Sequence, residues 1–173
     1  MELGQAQQSR AALGRAAVLT RRVVLRAFLT IGVVAFFIAG YFGVGLSVDP
    51  ARARDLGTVL DRRIPFIVPS VWVYLWVFPA SLLPLFVVRC PRLFLRTILA
   101  YGLAIAASLV VFVALPVTSI GLRADRATLD VTRFSPWAVA LLYRLDPPVN
   151  LFPSLHLSIA ALAALAAWKA RRA

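Results

Sequence analysis

The sequence has few charged residues, one cysteine and one histidine. Charged residues make up 15% of the 173 positions, against about 25% in soluble domains, and this argues against a soluble fold. The single cysteine, Cys90, excludes a disulfide bond within the chain. The single histidine, His156, excludes a metal site built from several histidines, and we expect no metal and no cofactor.

Hydrophobic residues are abundant instead, at 61% of the chain. This excess excludes a disordered chain. The arginines are scattered between apolar runs and form no single face, which excludes a nucleic-acid-binding domain. Four runs approach or reach the length that crosses a hydrocarbon core of about 30 Å, at residues 27–46, 67–88, 97–117 and 151–168. The sequence therefore predicts an all-α, polytopic membrane helix bundle with about four transmembrane helices.

The remaining segments complete the predicted architecture. Residues 1–23 form a basic N-terminal segment, and residues 24–173 form one membrane domain. The first apolar run is longer than the core of a secretory signal, which has roughly 7–15 residues, so we expect an uncleaved span. In the long connection 118–150, the apolar stretch 134–145 is too short to cross a membrane. It predicts a short interfacial or re-entrant helix.

Basic residues are unevenly distributed over the ends and connections of these runs. The chain up to Arg26, the connection 89–96 and the C-terminal end together carry eleven, and the two other connections carry eight. Because basic residues concentrate in short cytoplasmic connections, we expect a multi-pass protein of the plasma membrane with both termini in the cytoplasm. No acidic residue falls inside a predicted span, which argues against a transporter.

A polar motif opens the fourth apolar run. Asn150 has the residue type of an N-cap, and Pro153 is compatible with a first helical turn. The first turn of a helix presents N–H groups and a partial positive charge that suit a phosphate, and the Ser154 hydroxyl can donate to the same anion. His156 follows at the same end and can donate a proton to a leaving group. The alternative is that His156 is a polar residue at the membrane surface beside a simple helix start.

Residues 153–156, Pro-Ser-Leu-His, preceded by Asn150 and Phe152, resemble the second signature motif of the type 2 phosphatidic acid phosphatase (PAP2) superfamily. The leucine and the leading Asn-x-Phe are most similar to its inositolphosphotransferase branch, which includes inositol phosphorylceramide synthase-like proteins. Residues 64–79 resemble the second span of that branch, which is rich in proline and aromatic residues. The resemblance implies a partial six-helix bundle that acts on phosphoesters at the outer membrane face, as a lipid phosphate phosphatase or a phosphotransferase.

The resemblance also implies a role for each residue of this motif. His156 would be the catalytic general acid that protonates the leaving group. Ser154 and the backbone near Leu155 would bind the phosphate. Asn150 and Pro153 would be structural parts of the motif.

Arginines of the long connection resemble the superfamily's first motif less closely. That motif is a basic residue, six others, then Arg-Pro. Arg126 and Arg133 have this spacing, but Phe134 stands where the proline is expected. Arg123 is the alternative phosphate ligand. A guanidinium at any of these positions would match phosphate oxygens with two parallel hydrogen bonds.

The superfamily's third motif supplies an arginine, a nucleophilic histidine and an aspartate, and these 173 residues contain no match and no second histidine. The resemblance therefore implies a chain truncated at its C-terminal end, a partner that supplies the rest, or an inactive protein. The expected partners are membrane lipid, a phosphorylated lipid substrate, and the missing segment or a partner subunit, with no nucleic acid. The alternative function is a non-catalytic membrane protein that binds anionic lipid or a partner subunit.

Overall fold

The structure is a computed structural model that describes the backbone of residues 2–172 and the side chains of residues 19–172, apart from those at positions 62, 85 and 126. Within the described backbone the α-helices are α1 (Glu2–Ser47), α2 (Val59–Arg63), α3 (Val71–Leu75), α4 (Val77–Val87), α5 (Pro91–Ala114), α6 (Phe134–Leu145) and α7 (Leu155–Ala170). No β-strand forms over the same range, and the predicted all-α class is confirmed.

Two helices are long and apolar enough to cross a membrane. They are the Leu19–Ser47 part of α1 and the whole of α5, with 29 and 24 residues. The helices α4 and α7 are apolar but shorter, with 11 and 16 residues. By length and composition, the structure therefore supplies two of the four predicted spans.

The predicted second span is broken rather than continuous. It consists of a 3₁₀ turn (Val68–Ser70) followed by α3 and α4, which meet at Trp76. Pro79 has no N–H to donate to the carbonyl of Leu75, and its ring crowds that carbonyl. Pro79 therefore accounts for the interruption between α3 and α4 at Trp76.

The short apolar stretch 134–145 forms a helix with the predicted bounds, as α6. It lies on α3: Trp72 Nε1 donates to Ser135 Oγ at 2.9 Å, and the Trp72 ring stacks on that of Phe134 at 4.8 Å. The start of the fourth run differs from the prediction. The N-cap of α7 is Ser154, whose side chain accepts from Leu157 N. Asn150 is therefore not the N-cap.

Pro153 accordingly precedes α7 instead of occupying its first turn. The physical reason is that the Ser154 hydroxyl reaches the amide three residues ahead and satisfies one of the helix's unpaired N–H groups. Asn150 and Leu151, which precede the helix, line the space in front of it.

The alanine-rich helix α7 packs against both α4 and α5, and α1 packs against α5. Small residues on α7, among them Ala163 and Ala166, are buried in these contacts and allow the helix axes to approach closely. One core cluster joins Tyr41, Ile105, Phe112 and Leu155 at the end of the bundle where α7 begins. The other end is closed by a cluster that includes Val88 and Phe94 with Ala166.

Candidate active site

A cavity of about 120 Å³ lies in front of the N-terminus of α7; we call it the polar cavity, because most of the residues in its wall carry a polar side chain. Its wall is formed by Tyr41, Tyr74, Ser119, Asp146, Pro147, Asn150, Leu151, Ser154, Leu155 and His156. A single water needs about 10–15 Å³ of such space, so the cavity has room for a small ligand. The structure therefore brings the motif residues Asn150, Ser154 and His156 to one concave surface.

Backbone hydrogen bonds between connections hold the rim of this cavity. Val117 forms bridges with both Arg54 and Asn150, and Leu151 N donates to Val117 O at 3.2 Å. Ser119 N donates to Pro148 O at 2.8 Å. These bonds join three distant connections of the chain, so the segment that precedes α7 is fixed relative to the end of α5.

His156 lies in the first turn of α7, half-buried among aromatic residues. The Tyr74 hydroxyl is 3.0 Å from Nε2 and 3.3 Å from Nδ1 of His156. The ring of Tyr74 lies 4.7 Å from the imidazole, and that of Phe78 meets it edge-on at 5.3 Å. Tyr74 therefore holds the imidazole by both a hydrogen bond and ring packing.

Ser154 and Leu155 have different environments. Ser154 is exposed, and its oxygen accepts from Leu157 N at 3.3 Å; a hydroxyl that accepts in this way keeps its proton for a ligand. The Leu155 side chain is 3% exposed and belongs to the core cluster with Tyr41 and Phe112. Leu155 therefore anchors the start of α7, and only its backbone belongs to the anion-binding helix terminus.

Asp146 is the acidic residue of the wall, whereas Arg123, the alternative phosphate ligand, does not line this cavity and contacts the carboxylate of Asp146 instead. Arg123 Nη2 donates to Asp146 Oδ2 at 3.1 Å, and its Nε donates to Ser119 Oγ at 3.0 Å. The Tyr41 hydroxyl donates to the other carboxylate oxygen of Asp146 at 2.6 Å. Arg123 also donates to the backbone oxygens of Tyr143 and Asp146. The guanidinium is thus held beside the cavity by protein groups and positions the carboxylate.

Asn150 contributes a buried acceptor that the protein does not satisfy. The residue is 7% exposed, and its Nδ2 donates to Tyr41 O at 3.0 Å. Its Oδ1 is buried and has no hydrogen-bond partner. Because an unsatisfied buried acceptor costs about 1–3 kcal/mol, a polar group in the cavity would stabilise this site by donating to it.

The predicted arginine pair is not assembled at the cavity. Arg133 is the N-cap residue of α6, its side chain is 80% exposed, and its Nε pairs with Asp130 Oδ2 at 3.3 Å. Hydrogen bonds from Thr132 and the charge of Arg133 lower the pKa of Asp130. Arg133 lines none of the cavities that adjoin His156, and the side chain of Arg126 lies outside the described residues.

The sequence patterns missed Tyr41, Tyr74 and Asp146. Tyr41 and Asp146 are 105 residues apart in the chain, and Tyr74 and His156 are 82 apart. The sequence offers only a weak indication of these three residues, because each is a polar group near the end of an apolar helix. Such positions are natural places for groups that meet across a bundle, but their pairing is set by tertiary packing.

A second cavity, apolar and about 90 Å³ in volume, adjoins the other side of His156. Its wall comes from α1, α4, α5 and α7, with Val33, Phe37, Val77, Phe78, Leu82, Ile98, Tyr101, Ile105, Leu155, His156 and Ile159 among the residues that form it. His156 and Leu155 are the residues common to this cavity and the polar one. The imidazole therefore lies at the boundary between a polar and an apolar compartment.

Within the described part of the chain, no cluster of three or more histidine, cysteine, aspartate or glutamate side chains is placed to hold a metal ion. Comparison of the chain with models of protein families, with curated proteins and with solved structures gives no match.

Proposed function

We propose that this protein binds an amphiphilic phosphoester, a lipid phosphate, and supplies the general acid for cleavage or transfer of its phosphoryl group. The observation that carries the proposal is the position of His156 on the shared wall of a polar and an apolar cavity. A lipid phosphate has the same division, since its polar headgroup and its acyl chains meet at the ester linkage. The resemblance to the PAP2 superfamily supports the same chemistry.

The polar cavity has donors suited to a phosphate. The Ser154 hydroxyl retains its proton, and the first turn of α7 offers amides with the positive end of the helix dipole. When the phosphorus–oxygen ester bond breaks, its electron pair goes to the leaving oxygen, and His156 would deliver a proton to that oxygen. The Tyr74 hydroxyl would keep the imidazole aligned for this transfer.

The nucleophile is the part of the reaction that these residues do not provide. A phosphohistidine intermediate needs a histidine other than the general acid, and the 173 residues contain only His156. We propose that another polypeptide segment or a partner supplies it. Water or an alcohol would be the final phosphoryl acceptor.

We further propose that four spans cross the membrane, with the shorter helices α4 and α7 completing the bundle of α1 and α5. Both termini would lie in the cytoplasm, and the polar cavity would open at the outer face of the plasma membrane. The position of the cavity supports this arrangement, because it lies at the bundle end opposite the connection between α4 and α5.

Binding is tested with dioctanoyl phosphatidic acid, using dioctanoylglycerol and glycerol phosphate as ligands that each lack one half of the molecule. We expect the complete lipid phosphate to bind the purified protein at least tenfold more tightly than either half. Ser154→Asp keeps an N-cap acceptor but adds a negative charge at the cavity, and we expect it to abolish binding. Equal affinities for lipid phosphate and dioctanoylglycerol would contradict the proposal.

Thr58→Asp is the matched control for this substitution. Thr58 is likewise an N-cap whose side chain accepts from a helix amide, and it lies outside the polar cavity. The control changes the net charge equally, so a loss of binding in both variants would point to long-range repulsion and contradict a local phosphate site.

Proton donation by His156 is tested with imidazole as an added nucleophile. Imidazole nitrogen would attack phosphorus, the ester bond would break, and the alkoxide would take the proton from His156. We expect imidazole-dependent release of dioctanoylglycerol in the wild type and a loss of about 10²-fold or more in His156→Ala. Equal rates in the two proteins would overturn the catalytic role of His156.

A further inference from the structure

The end of the bundle opposite the polar cavity carries a concentrated positive charge. Arg26 of α1 donates to the backbone oxygens of Val88 and Arg89, and its guanidinium lies 4.5 Å from the centre of the Phe94 ring. The nearby core cluster also contains Ala166, with Ala170 packed against it. Three parts of the chain therefore lie at the same end of the bundle: the middle of α1, the connection between α4 and α5, and the end of α7.

These contacts gather nine basic residues into one group, which we call the basic end: Arg21, Arg22, Arg26, Arg89, Arg92, Arg96, Lys169, Arg171 and Arg172. All except Arg26 are exposed. None forms an ion pair within the described part of the chain, where the salt bridges found are Arg123–Asp146 and Arg133–Asp130. The basic end is thus an unneutralised cationic surface.

The acidic residues with described side chains lie elsewhere. Asp146 and Asp55 adjoin the connections around the polar cavity, and the others belong to the same group of connections, at positions 49, 61, 125 and 130. A surface with this much positive charge, and with no carboxylate among its described residues, is complementary to a polyanion. The apolar residues beside the basic end indicate which class of polyanion it would bind.

Exposed apolar side chains begin directly beside the basic end. Phe28 is 72% exposed and Ile31 67% exposed on α1, and Leu99 on α5 is 57% exposed. Arg172 stacks on the ring of Trp168 at 4.0 Å, and Trp168 is 49% exposed. A group of cations with an amphipathic aromatic residue at the edge of an apolar surface is typical of a protein at the headgroup level of a bilayer.

We infer that the basic end is a binding surface for acidic phospholipids, which it holds by their headgroup phosphates at the membrane surface opposite the polar cavity. The arginine guanidinium groups would contact the phosphates, and the adjoining faces of α1 and α5 would contact the acyl chains. Each arginine near such a surface contributes about fivefold to lipid affinity. This inference rests on the proposed membrane insertion and not on the proposed phosphoester chemistry.

The test is a triple variant, Arg92→Gln, Arg96→Gln and Arg171→Gln, purified in a zwitterionic detergent. The probes are phosphatidylglycerol and phosphatidylcholine, with binding followed by native mass spectrometry and by the thermal unfolding midpoint. We expect wild-type protein to retain phosphatidylglycerol and to gain stability from it, and to lose both effects in 0.5 M salt. In the triple variant we expect affinity for phosphatidylglycerol to fall about a hundredfold.

The matched control is Arg52→Gln, Arg63→Gln and Arg144→Gln, which removes the same charge from exposed arginines at the other end. We expect this control and His156→Ala to retain phosphatidylglycerol as the wild type does. An equal loss in the control, or equal binding of phosphatidylcholine by the wild type, would overturn the inference. A loss of lipid phosphate cleavage with phosphatidylglycerol retention intact would count against the proposed function alone.

Discussion

Asp146 joins separate parts of the chain at the polar cavity. Its two carboxylate oxygens accept from Tyr41 on α1 and from Arg123 in the connection before α6. The side chain of Arg123 is 16% exposed and that of Asp146 is 33% exposed. Loss of the carboxylate would therefore leave a largely buried guanidinium with fewer partners, which is more costly than loss of an exposed pair.

We predict that Asp146→Asn lowers the free energy of unfolding by about 2 kcal/mol, because hydrogen bonds to charged groups contribute about 1.5–3 kcal/mol. Asp130→Asn is the matched control, since its pair with Arg133 is 80% and 55% exposed. Such exposed pairs contribute about 0–1 kcal/mol. Thermal unfolding followed by tryptophan fluorescence measures both variants, and equal shifts would contradict a structural role for the buried pair.

Close approach between elements is visible where α1 passes the connection between α6 and α7. A Cβ added at Gly45 would lie 2.4 Å from Cβ and Cγ of Pro147 and 3.2 Å from Asn150 Nδ2. Pro147 is a rigid ring that lines the polar cavity, so it cannot yield as a flexible side chain would. Gly45 thus allows the connection to lie directly on α1.

We predict that Gly45→Ala lowers the free energy of unfolding by about 1–3 kcal/mol through overpacking and weakens lipid phosphate binding by displacing Asn150. Gly43→Ala is the control on the same helix, because nothing lies within 4 Å of an added Cβ there. Alanine is a better helix former than glycine by about 1 kcal/mol, so Gly43→Ala should be neutral or stabilising. Destabilisation of the same size in both variants would contradict this account of Gly45.

At the level of elements, the sequence allowed the best predictions where local chemistry is decisive. The bounds of α6 follow from an apolar stretch that begins after Arg133 and ends before Asp146, and the structure has the same bounds. The start of α7 was predicted wrongly, because both Asn150 and Ser154 have the residue type of an N-cap. Only the geometry shows that the Ser154 oxygen reaches Leu157 N.

The candidate site likewise has one part that the sequence predicts and another that only the fold shows. His156 and Ser154 share one short motif, so a single stretch of sequence identifies both. Tyr74 reaches His156 from another helix, and no local pattern states that pairing. The choice of arginine also required the fold, because the spacing of Arg126 and Arg133 along the chain does not indicate that Arg133 lies on the exposed start of α6.

For the whole molecule, the two ends of the bundle differ in charge. The basic end carries the cations of α1, the α4–α5 connection and α7, and the opposite end carries the described carboxylates. This division matches the bias of basic residues toward the cytoplasmic side of membrane proteins. The same orientation would turn the polar cavity outward, so the charge distribution and the position of the site lead to a single prediction about sidedness.

That prediction can be tested with the lone cysteine, Cys90, which is exposed between α4 and α5. Hydrogen bonds from the amides of Leu93 and Arg92 lower the pKa of the Cys90 thiol, which raises its thiolate fraction at neutral pH and favours maleimide labelling. In intact cells, we expect a membrane-impermeant maleimide to spare Cys90 and to label it only after permeabilisation. The Cys90→Ser, Val131→Cys variant moves the thiol to an exposed residue of the other end, and it should label in intact cells. The reverse pattern would invert the topology, and labelling of both sites from outside would contradict the four-span arrangement.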